Sequence, residues 1–170
     1  MRYNYLVILL ILTYSTNKAQ SIDSKFALSD ANKSYEMGDY ASSIEKYKSA
    51  STLDTSNNVS KFNAGNASFM KGEFEKANNY YKDYIDNSVN DTEKAEALYN
   101  IGNSYFNDYK KNNNQESLTK SIDNYKESLR LNSKDADTRY NLSHAMKIEM
   151  QQQENKDQEN KDQENKDQEN

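Results

Sequence analysis

The stretch YNIGNSYF, Tyr99–Phe106, has two close relatives in the same chain: FNAGNASF at Phe62–Phe69 and YNLSHAMK at Tyr140–Lys147. Each opens on an aromatic and an asparagine, then places a tiny residue, Gly65, Gly102 or Ser143, three positions after the aromatic. Glycine inside a helix costs about 1 kcal/mol relative to alanine. Its return at one register position points to a place where two helices almost touch. The other two glycines, Gly38 and Gly72, open the matched phrases GDYASSIEKYKSA and GEFEKANNYYKDY, 34 residues apart. Self-similarity at a fixed period of this size is the mark of stacked supersecondary units, each burying a face it could not bury alone.

Leu98-x2-Ile101-Gly102-x2-Tyr105 resembles the first-helix signature W-x2-L-G-x2-Y of the tetratricopeptide repeat (TPR), with Leu in place of Trp. Ser121-x3-Tyr125, Ala77-x3-Tyr81 and Ser43-x3-Tyr47 are similar to its second-helix A-x3-F. The resemblance covers Ser24–Met150 and implies an all-α, helix–turn–helix TPR solenoid. Its units are Ser24–Asn57 (24–57), Asn58–Asp91 (58–91) and Thr92–Asp135 (92–135), followed by a closing helix over 136–152. The sequence departs from the pattern in places. Thr55, Val89 and Ser133 stand where a unit-ending proline is usual, so Asp, Asn and Ser must set the turns. Tyr84 occupies the slot that Ala50 fills in the first unit. The third unit carries about seven extra residues around Tyr109–Ser117 (YKKNNNQES), expected to form a surface loop. In the closing helix, Tyr140, Leu142, Ala145, Met146 and Met150 are expected to cover the third unit, with Lys147, Glu149 and the glutamine run facing water.

The two ends read differently. Arg2, the apolar run Leu6–Leu12 (LVILLIL) and the polar stretch Ser15–Gln20 follow the order of a cleavable secretory signal over residues 1–20. The run is shorter than the roughly 20 apolar residues that span a bilayer. Cleavage is expected near Ala19. At the other end, 153–170 contains three ENKDQ repeats from Glu154, which can bury nothing and so predict a disordered or solvated tail.

Composition removes several function classes. The 170 residues contain no Cys, Pro or Trp and a single His, so disulfides, thiolate chemistry and most zinc sites are not expected. Mean hydropathy is −1.19, which predicts a thin core under much solvated face. Losing Arg2 and Lys18 with the leader moves the net charge from −5 to −7, a surface that repels nucleic acid. His144 stands alone, all four glycines belong to the repeat, and the carboxylates are scattered, so no catalytic site, cofactor, metal or small-molecule substrate is expected.

What remains is recognition of protein. In each repeated phrase the aromatic, the second asparagine and the last aromatic fall at i, i+4, i+7: Phe62, Asn66, Phe69; Tyr99, Asn103, Phe106; and, less fully, Leu28, Asn32, Tyr35. The small-residue slot lies on another face, so this stripe is expected to turn away from the helix packed on the glycine. First helices line the concave groove of TPR arrays. The resemblance therefore implies that Asn32, Asn66 and Asn103 point into a groove, with Asn63, Asn100 and Asn141 near its edge. An amide offers two donors and an acceptor to a peptide backbone, and aromatics grip apolar side chains. The same stripe is equally suited to a scaffold role, joining neighbouring helices. Some TPR domains grip a C-terminal carboxylate with groove lysines and arginines; here those positions hold Phe62, Tyr99 and asparagines, with Glu96 and Asp137 nearby, which disfavours that use.

Leader, TPR units, LRLNSKDADTRYNLSHAMK and the Gln/Asn/Glu/Lys-rich tail together resemble the TPR proteins of Bat (aerotolerance) operons. That resemblance implies a periplasmic adaptor in a cell-envelope complex with membrane proteins that carry von Willebrand A domains. The alternative is a self-assembling structural component of the envelope.

Overall fold

The computed structural model describes residues 22–168, with side chains through residue 163; the expected leader lies outside them. The described residues are helices joined by short turns, and they divide into two compact units between Ser88 and Val89. The first unit holds α1 (residues 22–36), α2 (Tyr40–Leu53), α3 (Asn58–Met70) and α4 (Phe74–Asp86). The second holds α5 (Asp91–Asn112), α6 (Gln115–Leu131) and α7 (Ala136–Gln168).

Side chains stand in for the missing prolines. Asp39 accepts from the Ser42 N–H, Asn57 from Ser60, Asn90 from Thr92 and Glu93, and Asn114 from Glu116. Asp135 does the same for Asp137 and Thr138 at the start of α7. Each such cap satisfies an orphan helix donor and contributes about 1 kcal/mol. The α1–α2 and α3–α4 turns need a left-handed residue, supplied by Gly38 (φ +77°) and Gly72 (φ +80°). In the α5–α6 turn Asn113 takes that conformation (φ 52°), which asparagine tolerates better than other side chains.

Each pair of helices closes on a tyrosine. A Cβ added at Gly65 would lie 2.6 Å from Tyr81 Cε1, and one at Gly102 would lie 2.5 Å from Tyr125 Cε1, so only hydrogen fits beneath either ring. In α1 the small residue is Ala31, buried in one cluster with Ile44 and Tyr47. The far end of each pair is tied by a side chain. Ser24 Oγ donates to the Ala50 carbonyl (3.1 Å) and Asn58 Nδ2 to that of Tyr84 (2.9 Å). In α5–α6 the direction reverses: Ala95 has no donor, and Ser128 Oγ donates to its carbonyl at 2.7 Å. Tyr84 fits the slot of Ala50 because its ring turns onto Phe62, with centroids 5.0 Å apart.

The expected surface loop around Tyr109–Ser117 is helix instead. α5 continues to Asn112, α6 starts at Gln115, and only Asn113 and Asn114 join them. Seven residues make about two turns of helix. Shared between two antiparallel arms, they lengthen each by about one turn and bring Tyr125 back to Gly102. The lysines, glutamine and glutamate of the insert are good helix formers, and the asparagine pair supplies the turn.

α7 also differs from expectation. Its inward face is Thr138, Asn141, Leu142, Ala145, Ile148 and Gln152, while Tyr140, Met146 and Met150 are 73%, 40% and 61% exposed. The helix is oriented by its close approach at Ala145 and by the bonds of Asn141, not by its largest apolar residues. The tail continues α7 as helix through Gln168, with the side chains of 153–163 exposed: solvated, and helical. Extending a docked helix avoids the nucleation cost that an isolated tail would face.

Candidate functional site

The expectation that the asparagine stripe turns away from the partner helix is wrong. Tyr47 Oη donates to Asn32 Oδ1 (2.7 Å), Tyr81 Oη to Asn66 Oδ1 (2.8 Å) and Tyr125 Oη to Asn103 Oδ1 (2.8 Å). The cause is the reach of tyrosine. Its ring lies on the small residue, and its hydroxyl projects past it to the next side chain, about 100° further round the helix. Burial, then the neighbouring Tyr35 and Glu36, push the Tyr47 pKa up to about 12. Burial and Tyr99 raise that of Tyr125 as well. Both phenols therefore keep the proton they donate.

Other residues of the predicted set are also occupied in packing. Phe62 lies against Tyr81 and Tyr84, Phe69 against Phe74, and Tyr99 against Tyr125. Phe106 is buried among α5, α6 and α7, with the exposed His144 ring edge-on to it at 5.3 Å. Asn141 Nδ2 donates to Asn103 Oδ1 (2.9 Å) and to Tyr99 Oη (3.3 Å), docking α7 on α5.

Each unit has its own recess beside this network. In the first, about 210 Å³ is lined by Asn32, Tyr35, Glu36, Tyr47, Asn63 and Asn66. Asn63 lines this recess, and no hydrogen bond among the described residues engages its side-chain amide. In the second unit about 290 Å³ is lined by Thr92, Glu96, Tyr99, Asn100, Asn132, Asp135 and Asp137. Burial works against the Asp135 charge, yet bonds from the Thr138 hydroxyl and from the N–H groups of Thr138 and Asp137 hold its pKa below the usual carboxylate value. Neither lining contains a lysine or arginine. Both recesses carry carboxylates, Glu36 in the first and Glu96, Asp135 and Asp137 in the second.

Of the ten residues predicted from sequence, Asn32, Asn63, Asn66, Tyr99 and Asn100 line a recess; Phe62, Phe69, Asn103, Phe106 and Asn141 line neither. Sequence reasoning missed Glu36, Tyr47, Thr92, Asn132 and Asp135. The A-x3-F pattern marked Tyr47 as the residue that packs on the small slot, but its reach to Asn32 appears only in the structure. The turn residues Asn132 and Asp135 carried no sequence signal beyond their capping role. Among the described residues, no group of three or more His, Cys, Asp or Glu side chains could hold a metal ion.

No family model matches the chain, and no curated protein matches it. Solved structures do. The N-terminal domain of stress-induced protein-1 (STI-1) from C. elegans is 17% identical, with TM-score 0.64 over 75% of this chain and 98% of that one. The first TPR of Spaghetti (RPAP3), bound to the HSP90 peptide SRMEEVD, is 20% identical, with TM-score 0.63 over 75% and 94%. The TPR2AB domain of yeast Sti1 is 23% identical, with TM-score 0.66 over 76% of this chain and 48% of that one. At these identities the likeness is one of fold, and the fold is that of the tetratricopeptide repeat.

Proposed function

We propose that this chain is a non-catalytic adaptor that holds an extended protein segment in an asparagine-lined recess. It is secreted across the inner membrane and works in a cell-envelope complex of the Bat type, beside membrane proteins with von Willebrand A domains. The uncommitted Asn63 amide, walled by Tyr35 and Tyr47, is the observation that carries the binding role. The order of the leader, Arg2 then Leu6–Leu12, supports the location, and no described helix is long and apolar enough to cross a membrane. Two structural neighbours are recorded with the acidic peptides SRMEEVD and SGPTIEEVD. Here Glu36, Glu96, Asp135 and Asp137 stand in the recesses, and like charges oppose such ligands. The segment bound by this chain is therefore neutral or basic.

Calorimetric titration with SRMEEVD and with a counterpart whose acidic residues are lysines tests the charge rule. The acidic peptide should be silent and the basic one should bind, about 3- to 10-fold more weakly to Asn63→Ala, the worth of one hydrogen bond. Tight binding of SRMEEVD overturns the recess reading. Pull-down from envelope extracts should bring down a von Willebrand A-domain protein with the wild type and less with Asn63→Ala; recovery of the chain only from cytosol overturns the location.

A further inference from the structure

The first helix of each of three pairs presents a small residue to a tyrosine: Ala31 shares a cluster with Tyr47, Gly65 lies under Tyr81, and Gly102 under Tyr125. α7 repeats the phrase but leaves its slot open. It docks through Asn141 and Ala145, and instead of turning back it runs on through Gln168, so no described helix covers Ser143. A shallow furrow, lined by α7 alone, follows this face from Arg139 to Glu154. Its apolar floor is Met146 and Met150, flexible side chains that conform readily to a partner helix.

We propose that this face of α7 pairs with the same face of a second copy of the chain, the two helices antiparallel about a twofold axis between Met146 and Lys147. The groove residues are self-complementary under that operation, as an isologous contact requires. Arg139 meets Glu154 of the second copy, and Glu154 meets Arg139, giving two ion pairs at the ends. Inside them, Ser143 leaves the gap that Met150 of the second copy fills, and Met150 fills the reciprocal gap. At the axis each Met146 lies along the aliphatic stem of the other Lys147. A parallel pair in register has none of this: it sets Arg139 on Arg139 and gap on gap. Arg139 is already oriented by its bonds to the carbonyls of Ser133 and Lys134. A guanidinium has five donors, enough for a carboxylate besides. The contact spans about 22 Å of each helix, roughly four turns. That is at the low end of specific interfaces, so monomer and dimer exchange with concentration.

The test is mass by light scattering on the full chain over a concentration series. The wild type should rise from monomer towards dimer, Glu154→Arg should remain monomeric, and adding Arg139→Glu to Glu154→Arg should restore the rise, because the swapped charges pair again. The chain has no native cysteine, so a mixture of Ser143→Cys and Met150→Cys chains should form a disulfide between copies that neither variant forms alone. A wild type that stays monomeric throughout overturns the proposal. So does association that ignores both charge variants and yields no mixed disulfide, which would place the contact elsewhere, the apolar Leu6–Leu12 run included.

Discussion

The α3–α4 and α5–α6 hairpins use one lock at two lengths. In both, a tyrosine lies on a glycine and donates its hydroxyl to the asparagine beside it. Yet α3 and α4 have 13 residues each, while α5 has 22 and α6 has 17. The lock sets where the helices cross and leaves their length open. The added turns have a use of their own: Tyr109 accepts a bond from Gln152 Nε2 at 2.7 Å, and Thr119 donates to Glu149 at 3.4 Å, so the longer hairpin seats the middle of α7. Asn103 also accepts from Asn141, so the lock of the longer hairpin is joined to α7.

The largest effects should come from filling the slot. Gly65→Leu and Gly102→Leu should each destabilise by about 3 kcal/mol in urea unfolding, because a buried ring stands where the side chain must go. Alanine is the sharper probe. It gains about 1 kcal/mol of helix propensity, but its Cβ meets the same ring atoms, so both Gly→Ala variants should still lose stability. A stabilised Gly102→Ala protein would mean that Tyr125 moves aside freely and that the lock is loose.

Next come the asparagines. Asn103→Ala leaves both the Tyr125 hydroxyl and an Asn141 donor without their partner and should cost about 2–3 kcal/mol. Asn66→Ala removes the acceptor of Tyr81 and should cost at least about 1 kcal/mol. An Asn103→Ala loss well below about 1 kcal/mol in thermal or chemical unfolding would show that neither of its bonds holds the fold.

Tyr47→Phe should cost about 1 kcal/mol at neutral pH, the net worth of one hydrogen bond. Its alkaline behaviour is more telling. The folded pKa is about 12 and the ordinary one is 10, so the stability tied to the Tyr47 proton is complete below pH 10 and is lost as pH rises towards 12. The unfolding midpoint should fall across that window, and less steeply in Tyr47→Phe. A variant with an unchanged slope would show that Tyr47 does not titrate there.

The smallest effect is expected beyond the reach of the longer hairpin. Deleting Glu154–Asn170 removes only exposed side chains among those described, and stability at a concentration where the chain is monomeric should change by about 0.5 kcal/mol or less. A large loss in melting temperature would mean that this part of α7 packs on something.

The class of fold was legible because its signals are local. Helical spacing, a glycine repeated beside an aromatic, and Asp or Asn before each helix act within one or two turns of chain, and the same local forces shape them in any surroundings. The direction of Asn32, Asn66 and Asn103 was not legible. On a helical wheel they sit about 100° from the slot, and nothing in the sequence says that a tyrosine from another helix is long enough to span that angle. The YKKNNNQES insert was ambiguous for the same reason: polar residues suit a loop or an exposed helix, and the choice fell to whether whole turns could be added without moving Tyr125 off Gly102. In α7, Leu142 and Ala145 of the expected face turn inward, while the bonds of Asn141 and the close fit of Ala145 leave Tyr140, Met146 and Met150 exposed. Sequence by itself determined the repeat and the helices it is built from, since capping and periodicity are properties of neighbouring residues. Tertiary structure decided which face each helix turns inward, and so which asparagines serve the scaffold and which face a recess, since that depends on the length and hydrogen-bonding reach of side chains brought together from 15 to 42 positions away.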